Sequence, residues 1–186
     1  AKRCCPRAGS CKCRRHRMTT STWRRAAGPQ LMRERFWERF PLEALTTEEW
    51  EALCDGCGRC CQVRLEDEDS GKVYVTRLAC RLLDTATCRC TDYPNRLAQV
   101  PGCVQVTPEV AGWDWLPSSC AYRRLARGEG LASWHPLLSG DPHSVEQAGI
   151  AMRGQLVSET GVAEEDYEDY ILEDQVSEDQ VVRWRD

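Results

Sequence analysis

"CDGCGRCC", Cys54–Cys61, places four cysteines in eight positions, two of them adjacent. Three readings compete for it: a piece of a disulfide framework, a zinc knuckle, or the first part of an iron–sulfur site. CxxC spacing lets two thiolates reach one cation while the intervening peptide turns its N–H groups toward the sulfurs. Cys54, Cys57 and Cys60 repeat that spacing twice, as in the cysteine runs around cubane clusters. The adjacent pair is read differently. Neighbouring side chains on an extended backbone point apart, so Cys60 and Cys61 are not expected to chelate one ion side by side. Cys61 would then serve a second metal, a bridging position or the far side of a cluster.

Beyond this stretch the cysteines continue as Cys80, Cys88, Cys90, Cys103 and Cys120. Nine thiols between 54 and 120 are too dense for buried apolar cysteine, and ligation is the economical account. Compartment bears on the same choice. The chain after Arg17 has no apolar stretch of about 7 to 15 residues such as a secretory signal needs. Nor is there an apolar run of about 18 residues for a membrane span. The expected location is the cytoplasm, where thiols stay reduced and disulfides are disfavoured.

Charge divides the 186 residues unevenly. Residues 1–39 hold 12 Lys and Arg against 2 acids, leaving 13 basic and 27 acidic residues of the totals 25 and 29 for the remainder. The start, "AKRCCPRAGSCKCRRHR", has no hydrophobic period, so residues 1–33 are expected to be a basic disordered leader or a start site placed too early. Cys4, Cys5, Cys11 and Cys13 within it carry little weight. Residues 34–172 are expected to form one cysteine-rich metal-binding domain, and 173–186 a polar tail.

Local patterns set the cysteines on short elements. "LTTEEWEALC" predicts a helix with a Thr46/Glu49 capping box that delivers Cys54. "CQVRLEDEDSGKVYVT" predicts a hairpin whose acidic turn lacks the ligand set of a calcium loop. "TRLACRLLD" reads as a helical turn or two with Leu78 and Leu82 on one side. "WDWLPSSCAYRRLARGEG" predicts a helix from about Cys120, N-capped at Ser118 and ended by Gly128 or Gly130. "GIAMRGQLV" reads as a strand and "AEEDYEDYIL" as an acidic amphipathic helix. The fold class is α+β: a small, irregular, metal-stapled domain of short helices, a β-hairpin and long cysteine-bearing loops.

"CDGCGRCC" followed by "ACRLL", "CRCTDY", "PGC", "LPSSCAYRRLARGEGL" and "WHPLLSG" resembles the YcgN-like branch of the CxxCxxCC (YkgJ-type) zinc- or iron-chelating proteins, from about Glu34 to Leu172. The wider family has an Arg-Pro dipeptide after the tyrosine, where this chain has "YPNR". The resemblance implies metal chelation by Cys54, Cys57, Cys60, Cys61 and the later cysteines, and it implies no particular reaction.

Other residues read more plainly. His135, between Trp134 and Pro136, is expected to be a hydrogen-bonded turn histidine, and His143 to be exposed. Trp113, Trp115 and Trp134 are expected to pack around the metal site, since the acidic body argues against nucleic acid. Arg123 and Arg124 are expected on an exposed helix face. Ligand counting puts Cys57 and Cys90 within reach of one centre. The partners implied are a metal ion and a protein partner, with no membrane. Three functions follow in order: a cytosolic protein chelating zinc or iron, an iron–sulfur redox protein or enzyme component, and a zinc-stapled interaction adaptor.

Overall fold

The computed structural model describes residues 32–172, so the leader and tail readings lie outside the described residues except at Met32 and Arg33. Helices α1 (Phe36–Arg39) and α2 (Thr47–Ala52) open the domain. The capping box forms as its sequence predicts: the Glu49 N–H donates to Thr46 Oγ1 at 3.3 Å, and the Thr46 N–H donates to Glu49 Oε2 at 3.0 Å. Glu49 is fully buried and also accepts from the Arg33 N–H, Nε and Nη2 at 2.9, 2.8 and 2.5 Å. Around this corner Phe36, Leu53, Ala111, Leu116, Ala121 and Tyr122 make the main apolar core. Each large member stabilises the fold by roughly 1.5 to 3 kcal/mol through burial.

The predicted hairpin is present as β1 (Gln62–Glu66) and β2 (Val73–Ala79). In its turn Asp67 Oδ1 accepts from the backbone and hydroxyl of Ser70, at 2.7 and 2.6 Å, which occupies that carboxylate locally. The helical reading of "TRLACRLLD" is overturned. β2 runs on through Ala79, and β3 (Leu83–Asp84) follows, pairing antiparallel with β4 (Arg89–Cys90). The reason is two-sided burial. β2 lies between antiparallel β1 and parallel β5 (Val157–Ser158), so Leu78 and Ala79, on opposite faces, are both fully buried. A central strand loses the alternation that marks an edge strand, and its apolar residues then mimic an i, i+4 helical face.

The strand reading of "GIAMRGQLV" is also corrected, since only its last residue, Val157, enters the sheet. This segment spends its backbone elsewhere. Met152 N–H donates to Cys57 O at 2.9 Å, Gly154 N–H to Thr85 O at 3.0 Å, and Ile150 O accepts from Arg59 Nε at 2.8 Å. It braces the cysteine loop. The acidic helix over Glu164–Tyr170 is present, but as a 3₁₀ helix, and Ile171 then bridges to Thr76.

Helix α3 (Arg96–Gln99) follows the turn at Pro94 and Asn95. Helix α4 (Ala121–Ala126) begins as expected, but its N-cap is Cys120 rather than Ser118. Gly128 N–H returns to Leu125 O at 3.0 Å at its end. Arg123 is not on an exposed face: it is 2 % exposed, donating to Leu116 O at 2.7 Å and to Asp114 Oδ1 at 2.9 Å. A buried cation needs such partners, and helical periodicity alone does not show them. The short α+β elements and long loops match the fold class read from sequence. No helix among the described residues is long and apolar enough to cross a membrane.

Candidate metal centre

The loop Cys54–Cys61 leaves the end of α2 and doubles back against the β3–β4 turn. Gly56 and Gly58, at φ 72° and 80°, make that approach possible. A Cβ on Gly58 would stand 2.8 Å from Cys88 Sγ, and one on Gly56 would stand 3.3 Å from the guanidinium carbon of Arg89. Inside the loop, Asp55 Oδ1 accepts the Cys57 N–H at 3.0 Å. Residues Arg59–Cys61 then form a 3₁₀ turn. That turn replaces the extended backbone assumed for the adjacent pair, and the sulfurs of Cys60 and Cys61 are 4.0 Å apart.

All nine described cysteines are free thiols. Their electrostatic contacts sort eight of them into two adjoining groups. Cys60 acts on Cys54, Cys57 and Cys120, and touches Cys61. Cys90 acts on Cys80 and Cys103. Cys103 links them, since both Cys90 and Cys60 act on it. Cys88 stands apart. It is buried with Ala79, Leu83, Met152 and Leu156, with Cys61 packed at the edge.

Cys54 and Cys60 are solvent-exposed residues, Cys57 is buried and Cys120 lies between. Burial pushes the Cys54 thiol up to about 11 and the Cys120 thiol up to about 12. Burial likewise raises Cys57 well above its ordinary value, while Cys60 is raised first by its contact with the Cys61 thiol and then by burial. Opposing these effects, arginines face the sulfurs: Arg64 acts on Cys60, Arg89 on Cys54 and Arg96 on Cys103.

Two residues that the sequence reading passed over complete the picture. Asp55 Oδ2 and Arg64 Nε are buried polar atoms without a hydrogen-bond partner, and both side chains act on Cys60. The signal for Asp55 was present in its place between two candidate ligands. Arg64 carries no such signal, since it reads as one more polar residue of a hairpin strand.

The histidines fall as expected. His135 Nδ1 accepts from Leu137 N–H at 3.2 Å and Nε2 donates to Leu53 O at 3.2 Å, so both ring nitrogens hold the turn. His143 has 68 % of its side chain exposed. Trp134 packs against the patch formed by Cys57, Val145 and Ala151, and Trp115 against the main core. Trp113 instead is 50 % exposed.

Among the described residues no three His, Cys, Asp or Glu groups stand close enough to enclose one ion, so the donors are gathered without being closed around a point. The residues nonetheless fit a thiophilic cation. Clustered thiols are soft donors suited to zinc or iron. A buried carboxylate oxygen lacking a hydrogen bond also calls for a positive partner.

Comparison with known proteins bears on the same residues. Positions 53–121 match the CxxCxxCC family, described as a "Putative zinc- or iron-chelating domain". The UPF0260 protein of Azotobacter vinelandii is 56% identical over 140 residues, covering 75% of this chain and 94% of its own. The UPF0260 protein of Mesorhizobium japonicum is 55% identical over 143 residues, covering 75% and 97%. That of Allorhizobium ampelinum is 55% identical over 141 residues, covering 75% and 89%. No solved structure matches. With more than half of the aligned residues identical over nearly the full length of these relatives, the chain belongs to the UPF0260 family and carries a CxxCxxCC domain.

Proposed function

We propose that the domain chelates zinc or iron through thiolates in the reducing cytoplasm, with Cys54, Cys57, Cys60, Cys61 and Cys120 on one side and Cys80, Cys90 and Cys103 on the other. The observation that carries this reading is the gathering of eight free thiols into two adjoining groups faced by Arg64, Arg89 and Arg96. Thiolates bound to a cation keep net negative charge, and those guanidinium groups offset it. Bound metal would draw the loops together and stabilise the fold. The solvent-exposed positions of Cys54 and Cys60 give an ion, or an accepting partner's thiol, a way in. These features support a metal that is held and also exchanged.

An iron–sulfur centre is the second reading, favoured by the same arginines, because a cluster held by four thiolates is anionic. Metal analysis and visible absorption of anaerobically purified protein test both. Stoichiometric zinc or iron, lost on Cys57→Ser, is the expected result. A brown chromophore would select the iron–sulfur reading, and a chain that takes up neither metal would overturn both.

A further inference from the structure

We propose that Cys60 and Cys61 are a redox pair: a hydroperoxide closes them into a disulfide between neighbouring residues, and a small thiol reopens it. The consequence for metal, withdrawal of two thiols from the centre, rests on the thiolate-site reading above.

On extended backbone neighbouring side chains point apart, and their sulfurs do not meet. Residues Arg59–Cys61 instead form a 3₁₀ turn, and the two sulfurs stand 4.0 Å apart. Among the described residues this is the one pair of thiols in hydrogen-bonding contact. Rotation of the side chains can close that gap to an S–S bond of about 2.05 Å. The backbone around the pair is fixed. Cys61 N–H donates to Gly58 O at 3.2 Å, and Cys61 O accepts from the Cys80 N–H at 2.9 Å. Exposure divides the roles: Cys60 is solvent-exposed and meets the oxidant, while Cys61 is half-buried behind it. One peptide holds the two Cα atoms about 3.8 Å apart, below the usual disulfide span of about 4.4 to 6.8 Å, so a thiol reopens the ring readily.

The chemistry runs in two steps. The Cys60 sulfur attacks one oxygen of the hydroperoxide: an S–O bond forms, the O–O bond breaks, and the other oxygen leaves as water or an alcohol with the thiol proton. The Cys61 sulfur then attacks the Cys60 sulfur. An S–S bond forms, the S–O bond breaks, and hydroxide departs with the Cys61 proton as water. The two thiols have lost two electrons, and the hydroperoxide has gained them. Two molecules of a small thiol reverse the change by exchange and leave as their own disulfide. Because Cys61 is already in contact, the sulfenic acid on Cys60 is consumed before it passes to the irreversible sulfinic acid.

The full chain, reduced anaerobically and either loaded with zinc or left without it, is treated with hydrogen peroxide, alkylated and digested with trypsin. Cleavage after Arg59 and Arg64 releases "CCQVR", residues 60–64, which holds this pair and no other cysteine. The expected product is that peptide two hydrogens lighter and unalkylated, taking two alkyl groups once dithiothreitol has reduced it. Zinc should be released in step with its formation. In Cys61→Ser, with circular dichroism unchanged, the ring should be lost and Cys60 should go on to the sulfinic acid. A wild-type peptide that stays a dithiol while other cysteines oxidise, that is cross-linked to Cys88 or another cysteine, or that accumulates sulfinic acid would overturn the inference and leave the thiolate-site reading untouched. Ring closure in a chain that takes up neither zinc nor iron would support the redox pair and bring down the thiolate-site reading instead.

Discussion

Glu49 and Asp55 are acids six positions apart at either end of one helix-to-loop junction, and the fold treats them in opposite ways. Glu49 is fully buried and accepts hydrogen bonds from Thr46 and from three groups of Arg33. Asp55 has a buried oxygen that accepts none. The first carboxylate is completed on both oxygens by Thr46 and Arg33, whereas the second closes a local turn through Oδ1, which accepts the Cys57 N–H at 3.0 Å. The same contrast runs through their neighbourhoods: the core of Phe36, Leu53, Leu116 and Tyr122 is closed by apolar packing, whereas the cysteine loop gathers donors without closing them. The α2 corner therefore stabilises itself, whereas the loop, on the function proposed above, is completed by bound metal.

The largest test of that contrast is removal of the metal. A structural thiolate site contributes roughly 10 to 16 kcal/mol of apparent binding free energy, against a net domain stability of about 5 to 15 kcal/mol. A strong chelator, or Cys57→Ser, should therefore unfold residues 54–120, seen as lost circular dichroism and new proteolytic cleavage within that span. An apo chain that stays folded and protease-resistant would break the comparison, and would leave a labile site that the fold does not need.

Next in size is Leu53→Ala, at the junction itself. Leu53 is fully buried, and truncation should cost about 3 kcal/mol in denaturant unfolding of the metal-loaded protein. Metal stoichiometry should not change. Loss of metal along with stability would show that core and loop fold as one unit.

Acid should then distinguish the corner from the loop. The Arg33 side chain, hydrogen-bonded to Glu49, holds that carboxyl at about 2 against its ordinary 4.5. A depressed carboxyl contributes stability that is present above its unfolded value and disappears as pH falls through its folded value. The contribution should be complete above about pH 4.5 and lost toward about pH 2. Glu49→Gln should be less stable than wild type at pH 6, and the gap should narrow over that interval. A gap that stays constant would assign the loss to packing alone.

Much of this corner was legible in the sequence, because capping boxes and hairpins are local chemistry. The Thr46/Glu49 box, the hairpin, the start of α4 near Cys120 and the turn role of His135 all follow from residues a few positions apart. What was not legible depends on distant partners. β2 reads as a helix until β5 is known to cover its other edge. Arg123 reads as surface until Asp114 and Leu116 O are seen beside it. At the site, ligand types and spacing were visible, but the 3₁₀ turn that brings Cys60 and Cys61 together was not. Nor could a pattern of spacings separate Cys88 from Cys90, which differ by which side of a tight turn they face.

That last pair gives the smallest expected effect. Counting thiols treats Cys88 and Cys90 alike, but the structure buries Cys88 among Ala79, Leu83, Met152 and Leu156 and places Cys90 within the group of Cys80 and Cys103. Cys88 also packs against Gly58, where its sulfur fills the space a Cβ would need. It acts as a small apolar side chain that fixes the loop's distance from the β3–β4 turn. Cys88→Ala removes one buried sulfur and should cost about 1 kcal/mol in denaturant unfolding, with metal content unchanged. Cys90→Ala should instead lower metal content while removing a less buried atom. Measured side by side, metal loss from the Cys88 variant would mean that this sulfur turns toward the site when metal is bound, and would extend the open region of the molecule into what the packing marks as closed core.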